Sequence, residues 1–192
     1  MLKSELRKKY MQKRKALSTD EAFLLSREIF KQFIEYFKPV PGQKVHIFVP
    51  IEKFREIDTR LFIDYFLSRQ IRVFVPKIVD TCMISVEVFP DTVFGINSWE
   101  ISEPVSDKDS GLSHFDYVIT PLLYCDAKGN RVGYGKGFYD GFFAGLSTEI
   151  KKIGVNYFDP VDMIDDAWEF DIPLDYLVTP TAVLSFFSSG LE

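Results

Sequence analysis

The spacing of apolar positions along the chain switches between helical and strand periods, and the switches mark its elements. Residues 3–15 are mostly polar but favour helix, and Ser18 followed three positions later by Glu21 forms the pattern of a capping box that opens a second helix. Leu25, Ile29, Phe33 and Phe37 then recur every four residues, joined by Phe30 and Ile34. That spacing predicts one inward-facing apolar stripe, ending before "PVPG" at 39–42. The period then changes. "KVHIFVP" (44–50) and "IRVFVPK" (71–77) are short β-branched runs of the kind buried on both faces of a sheet. The intervening "DTRLFIDYFLSR" has helical length and spacing, so the three segments predict a βαβ unit with a right-handed crossover. Further strands are expected at 83–89, 115–124, 151–157 and 174–180, and a helix at "GFYDGFFAGL". Residues 90–114 show no regular period, and "DSGLSHFD" (109–116), which begins within them, is expected to be a mobile loop. The alternation predicts an α/β protein: one Rossmann-like, three-layer domain over residues 1–192, with a largely parallel central sheet flanked by helices.

Composition narrows the function classes. At 192 residues the chain suffices for one well-buried core but not for two ordinary domains. A net charge of -5 argues against non-specific attraction to nucleic acid, which depends on cations neutralising phosphates. The charge is uneven, because Lys3, Arg7, Lys8, Lys9, Lys13, Arg14 and Lys15 crowd the start. Cys82 and Cys125 form no CxxC pair. No signal-peptide core and no run of about eighteen apolar residues is present. A soluble, cytoplasmic, monomeric protein is expected, with small-molecule substrates and neither nucleic acid nor membrane as partner.

The densest chemistry lies in "GNRVGYGKGFYDGFF", residues 129–143. Gly133, Gly135 and Gly137 alternate with Tyr134 and Lys136 between an expected strand and an expected helix, the place where open α/β sheets hold ligands. Without Cβ atoms, the peptide N–H groups there can approach an anion closely. A Walker A loop would need glycine where Asn130 stands and Ser or Thr where Gly137 stands, and the dinucleotide GxGxxG fails at Phe138. A tight turn that merely starts a helix is therefore an open alternative. Arg131, Lys136 and Asp140 add two cations and a potential Mg²⁺ ligand within the same stretch. His46 lies inside a strand and reads as a core residue; no Ser/His/Asp arrangement or zinc spacing competes.

The run "PLLYCDAKGNRVGYGKGFYD" resembles the signature of the 5-formyltetrahydrofolate cyclo-ligase family. Other segments resemble that family in its order: "KSELR", "FVPIEKFREIDT", "VFVPKI", "INSWEISEP" and "FDIPLDYLVTPT". The resemblance implies ATP- and Mg²⁺-dependent closure of 5-formyltetrahydrofolate to 5,10-methenyltetrahydrofolate, with phosphorylation of the formyl oxygen and release of ADP and phosphate. It implies ATP contacts at Lys3, Arg7, Arg131, Gly133, Tyr134, Gly135, Lys136, Gly137 and Tyr139, with Lys136 and Arg131 on the transferring group. Folate contacts are implied at Ile51, Glu56, Tyr134, Phe138 and Tyr139, with Phe48 and Trp99 as apolar wall, and Mg²⁺ at Asp140 and Asp171. Departures from the pattern are Cys125, Val132, Gly141 and, before Asp171, Phe170 in place of histidine. A non-catalytic folate or nucleotide binder of the same fold, or an ATP-using enzyme acting on another small acid, are the competing readings.

Overall fold

The computed structural model describes residues 1–97 and 101–187, so Trp99 lies outside the described residues. The chain runs α1 (Lys3–Ala16), α2 (Thr19–Phe37), β1 (Lys44–Ile47), α3 (Arg60–Ser68), β2 (Arg72–Val79), β3 (Cys82–Val88), β4 (Phe94–Ile96) and β5 (Ser102–Pro104). It continues through β6 (Tyr117–Thr120), β7 (Tyr124–Cys125), β8 (Arg131–Val132), α4 (Phe138–Ala144), β9 (Lys151–Val155), β10 (Tyr176–Val178) and β11 (Val183–Ser185). The capping box forms: Ser18 Oγ accepts the Glu21 N–H at 3.1 Å, and Glu21 Oε2 accepts the Ser18 N–H at 2.7 Å. α2 ends at Lys38, whose φ of 46° turns the chain out before Pro39.

Seven strands form one sheet in the order β11-β10-β9-β6-β1-β2-β3. The interior pairs are parallel, with Val45 opposite Val73 and Tyr117, and Ile153 opposite Ile119. Both edges are antiparallel, β3 on β2 and β11 on β10. The expected strand at 115–124 divides in two because Pro121 offers no N–H to continue the ladder. β6 stops at Thr120, and the chain re-enters as β7, which pairs with β8 in a separate small hairpin. Within 90–114, where no regular period is visible, β4 pairs antiparallel with β5 ahead of the expected loop "DSGLSHFD", and Lys77 Nζ is bonded to the Pro104 and Val105 carbonyls.

Alternation along the strands separates the two faces. Val45, Ile47, Val73, Val75, Tyr117, Ile119, Ile153 and Val155 pack with Ile29 and Phe33 of α2 and Phe62 and Phe66 of α3. Phe74 and Val118 pack with Phe115, Phe143 and Ile150 below α4, where the His46 ring lies tilted against Phe142 with ring centroids 4.5 Å apart. α1 does not lie on the sheet. Its Leu6 and Tyr10 pack on Tyr124 and Val132 of the β7–β8 hairpin, which ties the basic helix to the strand that leads into the glycine stretch.

Gly154 in β9 shows how close the second face is. A Cβ there would lie 2.5 Å from Leu174 Cδ1 and 2.7 Å from Leu122 Cδ2. Gly154→Ala is expected to lower the unfolding free energy by about 1–3 kcal/mol through overpacking. Urea unfolding checks this, and a loss under about 0.5 kcal/mol would mean that the two leucines move aside freely.

Candidate active site

Three loops at the carboxyl ends of parallel strands supply the site: 48–59 after β1, 121–137 after β6 and 156–175 after β9. β1 and β6 are neighbours, yet β1 leads outward to β2 on one side and β6 to β9 on the other. The crevice beyond such a reversal is where open α/β sheets bind ligands. Glu56 and the glycine stretch flank it.

α1 brings its cations onto that stretch. Arg7 Nε donates to the Gly133 carbonyl at 2.9 Å, and its guanidinium lies over Gly135, whose absent Cβ would sit 3.4 Å from Arg7 Nη2. Gly135 has φ of +89°, so the turn needs glycine for its conformation, while a Cβ there would meet Arg7 only at ordinary contact distance. Lys3 Nζ pairs with Asp171 Oδ2, which also accepts the Trp168 N–H at 2.6 Å. Arg131 Nη2 pairs with Asp140 Oδ1 at 2.5 Å, while its Nη1 donates to the Ile172 carbonyl. Asp140 Oδ1 further accepts the Ile172 N–H at 3.3 Å. Burial pulls the Arg131 guanidinium below its usual range, and Asp140 and then Asp171 oppose that pull. Charges therefore alternate: Lys3, Asp171, Arg131, Asp140. Lys136 is exposed and has no ion-pair partner among the described residues.

The folate residues expected from the sequence gather as well. Glu56 is buried, so the charged run around it is not simply solvated. Its Oε1 accepts from Tyr134 Oη at 2.5 Å and its Oε2 from the Ile51 N–H at 2.8 Å. Burial pushes the Glu56 carboxyl up, and the Tyr134 hydroxyl, the Ile51 N–H and the Arg14 charge each pull it down. Tyr134 lies over Phe54 with ring centroids 5.3 Å apart. Its phenol is pushed up by burial and then by the Glu56 charge, so it acts as a hydrogen-bond donor to Glu56. Tyr139 Oη is buried without a partner among the described residues. Its phenol is pushed up in the same way, by burial first and Glu56 second. Phe138 opens α4 and is half-buried, and Phe48 belongs to the core under α2 and α3. Because α4 has only seven residues, its dipole adds little, and the positive character of the site rests on side chains.

Sequence reasoning missed Arg14. It continues the four-residue spacing of Leu6 and Tyr10, the buried line of α1, which was the available signal.

Fold and site together define a class: an α/β protein whose glycine loop, basic helix and buried carboxylate meet at the reversal of a parallel sheet. The chain belongs to the 5-formyltetrahydrofolate cyclo-ligase family, whose sequence model matches residues 1–180. It is similar to the 5-formyltetrahydrofolate cyclo-ligase of Mycoplasma pneumoniae, with 31% identity over 185 residues, 93% of this chain and 98% of that one. The Escherichia coli K12 protein of the same name is 27% identical over 179 residues, 90% of this chain and 97% of its own. Among solved structures, the NMR structure of Aquifex aeolicus 5,10-methenyltetrahydrofolate synthetase matches with a TM-score of 0.82 at 31% identity, over 100% of this chain and 97% of that one.

Proposed function

We propose that this protein closes 5-formyltetrahydrofolate to 5,10-methenyltetrahydrofolate at the expense of ATP. The formyl group is amide-like and a poor electrophile. Its oxygen attacks the γ-phosphorus, ADP leaves, and the formyl oxygen becomes part of a phosphate leaving group. The neighbouring folate nitrogen then attacks the activated carbon, and phosphate departs with that oxygen. No protein nucleophile takes part, so the protein's contribution is to hold both substrates in line and to neutralise charge.

The observation that carries the reading is the seating of Arg7 on Gly133 and Gly135 within a chain of this family. Lys3 and Arg7 bind the polyphosphate, Arg131 and Lys136 face the transferring group, and Gly133, Gly135 and Gly137 leave room for phosphate oxygens. Tyr134, Phe138 and Tyr139 stand between nucleotide and folate. Glu56 accepts from the N–H donors of the pterin, with Ile51 beside it.

The carboxylates suit Mg²⁺. No group of three or more metal-ligating side chains occurs among the described residues. Asp140 Oδ2 and Asp171 Oδ1 have no partner among the described residues, since the bonds to Arg131, Lys3 and nearby N–H groups use the other oxygens. Two carboxylates with one free oxygen each fit an ion that completes its shell with water and substrate phosphates. Held by Asp140 and Asp171, Mg²⁺ would supply neutralisation of the phosphate oxygens. Asp140→Asn keeps an acceptor for Arg131 but removes the charge. The Mg²⁺ concentration for half-maximal turnover is expected to rise roughly tenfold, about 1.4 kcal/mol. An unchanged Mg²⁺ titration would make Asp140 a partner of Arg131 only.

The direct test mixes the purified protein with 5-formyltetrahydrofolate, ATP and Mg²⁺ and follows the absorbance of the methenyl product. Product requiring all three is expected. Binding of both substrates without product would favour the non-catalytic reading.

A further inference from the structure

Arg14 is 1% exposed, although its guanidinium carries a full charge. Nη1 donates to Tyr134 Oη at 3.1 Å, Nη2 donates to the Leu122 carbonyl, and Nε has no partner among the described residues. The guanidinium carbon lies 5.9 Å from the centre of the Tyr157 ring. Among the described residues no carboxylate forms a direct ion pair with it. A buried cation is costly unless a counter-charge is close. Here the counter-charge is one hydroxyl away: Tyr134 Oη accepts from Arg14 and donates to Glu56 Oε1. The Ile51 N–H holds the other Glu56 oxygen, and Tyr157 Oη donates to the Glu56 backbone carbonyl at 3.0 Å.

We infer that Arg14 is a positioning residue for the folate half of the reaction: through the Tyr134 hydroxyl it holds Glu56 oriented and ionised to accept from the N–H groups of the reduced pterin. The inference rests on the cyclo-ligase reading and adds to it a residue that reaches folate only through others. It also joins the helix bearing Lys3 and Arg7 to the folate side, because α1 carries all three.

Removing the Arg14 charge removes one of the influences that hold the Glu56 carboxyl down against burial. Glu56 acts with Arg14 from α1, Tyr134 from the glycine loop, Tyr139 from α4 and Tyr157 after β9, and Asp20, Glu52, Lys53, Arg55, Asp58 and Arg60 line the cleft beside it. Of the cations around it, Arg14 is the one whose charge pulls the Glu56 carboxyl down, so its loss moves the Glu56 titration towards higher pH. Arg14→Met is expected to raise the KM for 5-formyltetrahydrofolate at least about tenfold, with the KM for ATP within about twofold. The acid limb of kcat/KM for folate should move up by about one pH unit. The ¹³C carboxyl signal of Glu56, titrated without substrate, should move the same way. Arg14→Lys keeps the charge but presents one nitrogen to two partners. It should restore the acid limb and only part of the KM.

A residue that served packing alone would lower stability without moving either titration. An unshifted Glu56 signal together with an unchanged folate KM in Arg14→Met overturns the inference while leaving the cyclo-ligase reading intact. If the wild-type protein forms no methenyl product, that reading and this inference fall together. Should Arg14→Met not fold, Arg14→Gln removes the charge while keeping an amide donor for Tyr134 and leaving the Tyr134–Glu56 bond untouched. A higher folate KM with an upward Glu56 shift is then expected, and neither change would overturn the inference.

Discussion

Lys136→Ala is expected to cut turnover by about 10²–10³-fold while leaving thermal unfolding where it is. The two halves of that expectation come from different properties of the residue. Lys136 is exposed, lies between Gly135 and Gly137 in a turn with φ of +89° and +72°, and has no partner among the described residues. Nothing in the core is lost when its side chain is removed, and surface changes of this kind fall within about 0.5 kcal/mol. Arg7, Lys3 and Arg131 are engaged with Gly133, Asp171 and Asp140. In the proposed reaction Lys136 is thus the cation free to follow the phosphoryl group without breaking a bond, and its charge would matter most when that group is between donor and acceptor. Steady-state kcat and a thermal melt on the same sample check both halves. Turnover within about threefold of wild type would remove Lys136 from the reaction.

Acid should destabilise the protein through His46, by about 3 kcal/mol between pH 7.5 and pH 4.5. Both ring nitrogens of His46 are buried beside Phe115, Tyr139 and Phe142, without partners among the described residues. Burial alone lowers its pKa from 6.5 to about 3. The folded chain keeps the ring neutral, whereas the unfolded chain takes up a proton below 6.5. The stability this confers is complete above pH 6.5 and is lost as the pH falls from there towards about 3. Glu56 works in the opposite direction: its raised carboxyl pKa favours the folded state at low pH and loses that contribution as the pH rises through the folded value. The comparison with His46→Leu cancels the Glu56 effect, since both proteins share it. Urea unfolding should show the wild type losing about 3 kcal/mol more than the variant over this range, and equal losses would show that the ring finds a partner or water when charged.

Much of the fold could be read locally. The Ser18 and Glu21 cap, the four-residue stripe of α2 and the β1-α3-β2 unit all depend on residues a few positions apart, and each forms as expected. The glycine stretch was readable in part, because the alternation of Gly133, Gly135 and Gly137 next to Arg131 and Lys136 is a local pattern tied to close approach by an anion. The split at Pro121 was also local, but the β7–β8 hairpin that follows depends on Tyr124 meeting Val132 across an intervening turn. The edge strand β11 and the β4–β5 pair were not read. Three-residue strands carry too few alternations to show a period, and pairing partners alone define them.

What the chain determined by itself was the order of elements, the basic start and the chemical content of the loop after β6, since period, capping and glycine spacing act over a handful of residues. Only the tertiary structure decided which charges meet. Lys3 finds Asp171 across 168 positions, and Arg14 reaches Glu56 through a tyrosine 120 positions further along the chain than itself. Whether a charged side chain is solvated or buried depends on the low-dielectric surroundings that distant segments create. The four-residue line of Leu6, Tyr10 and Arg14 marks one face of α1, but it is the packing of Tyr124 and Val132 on that face that takes it out of water.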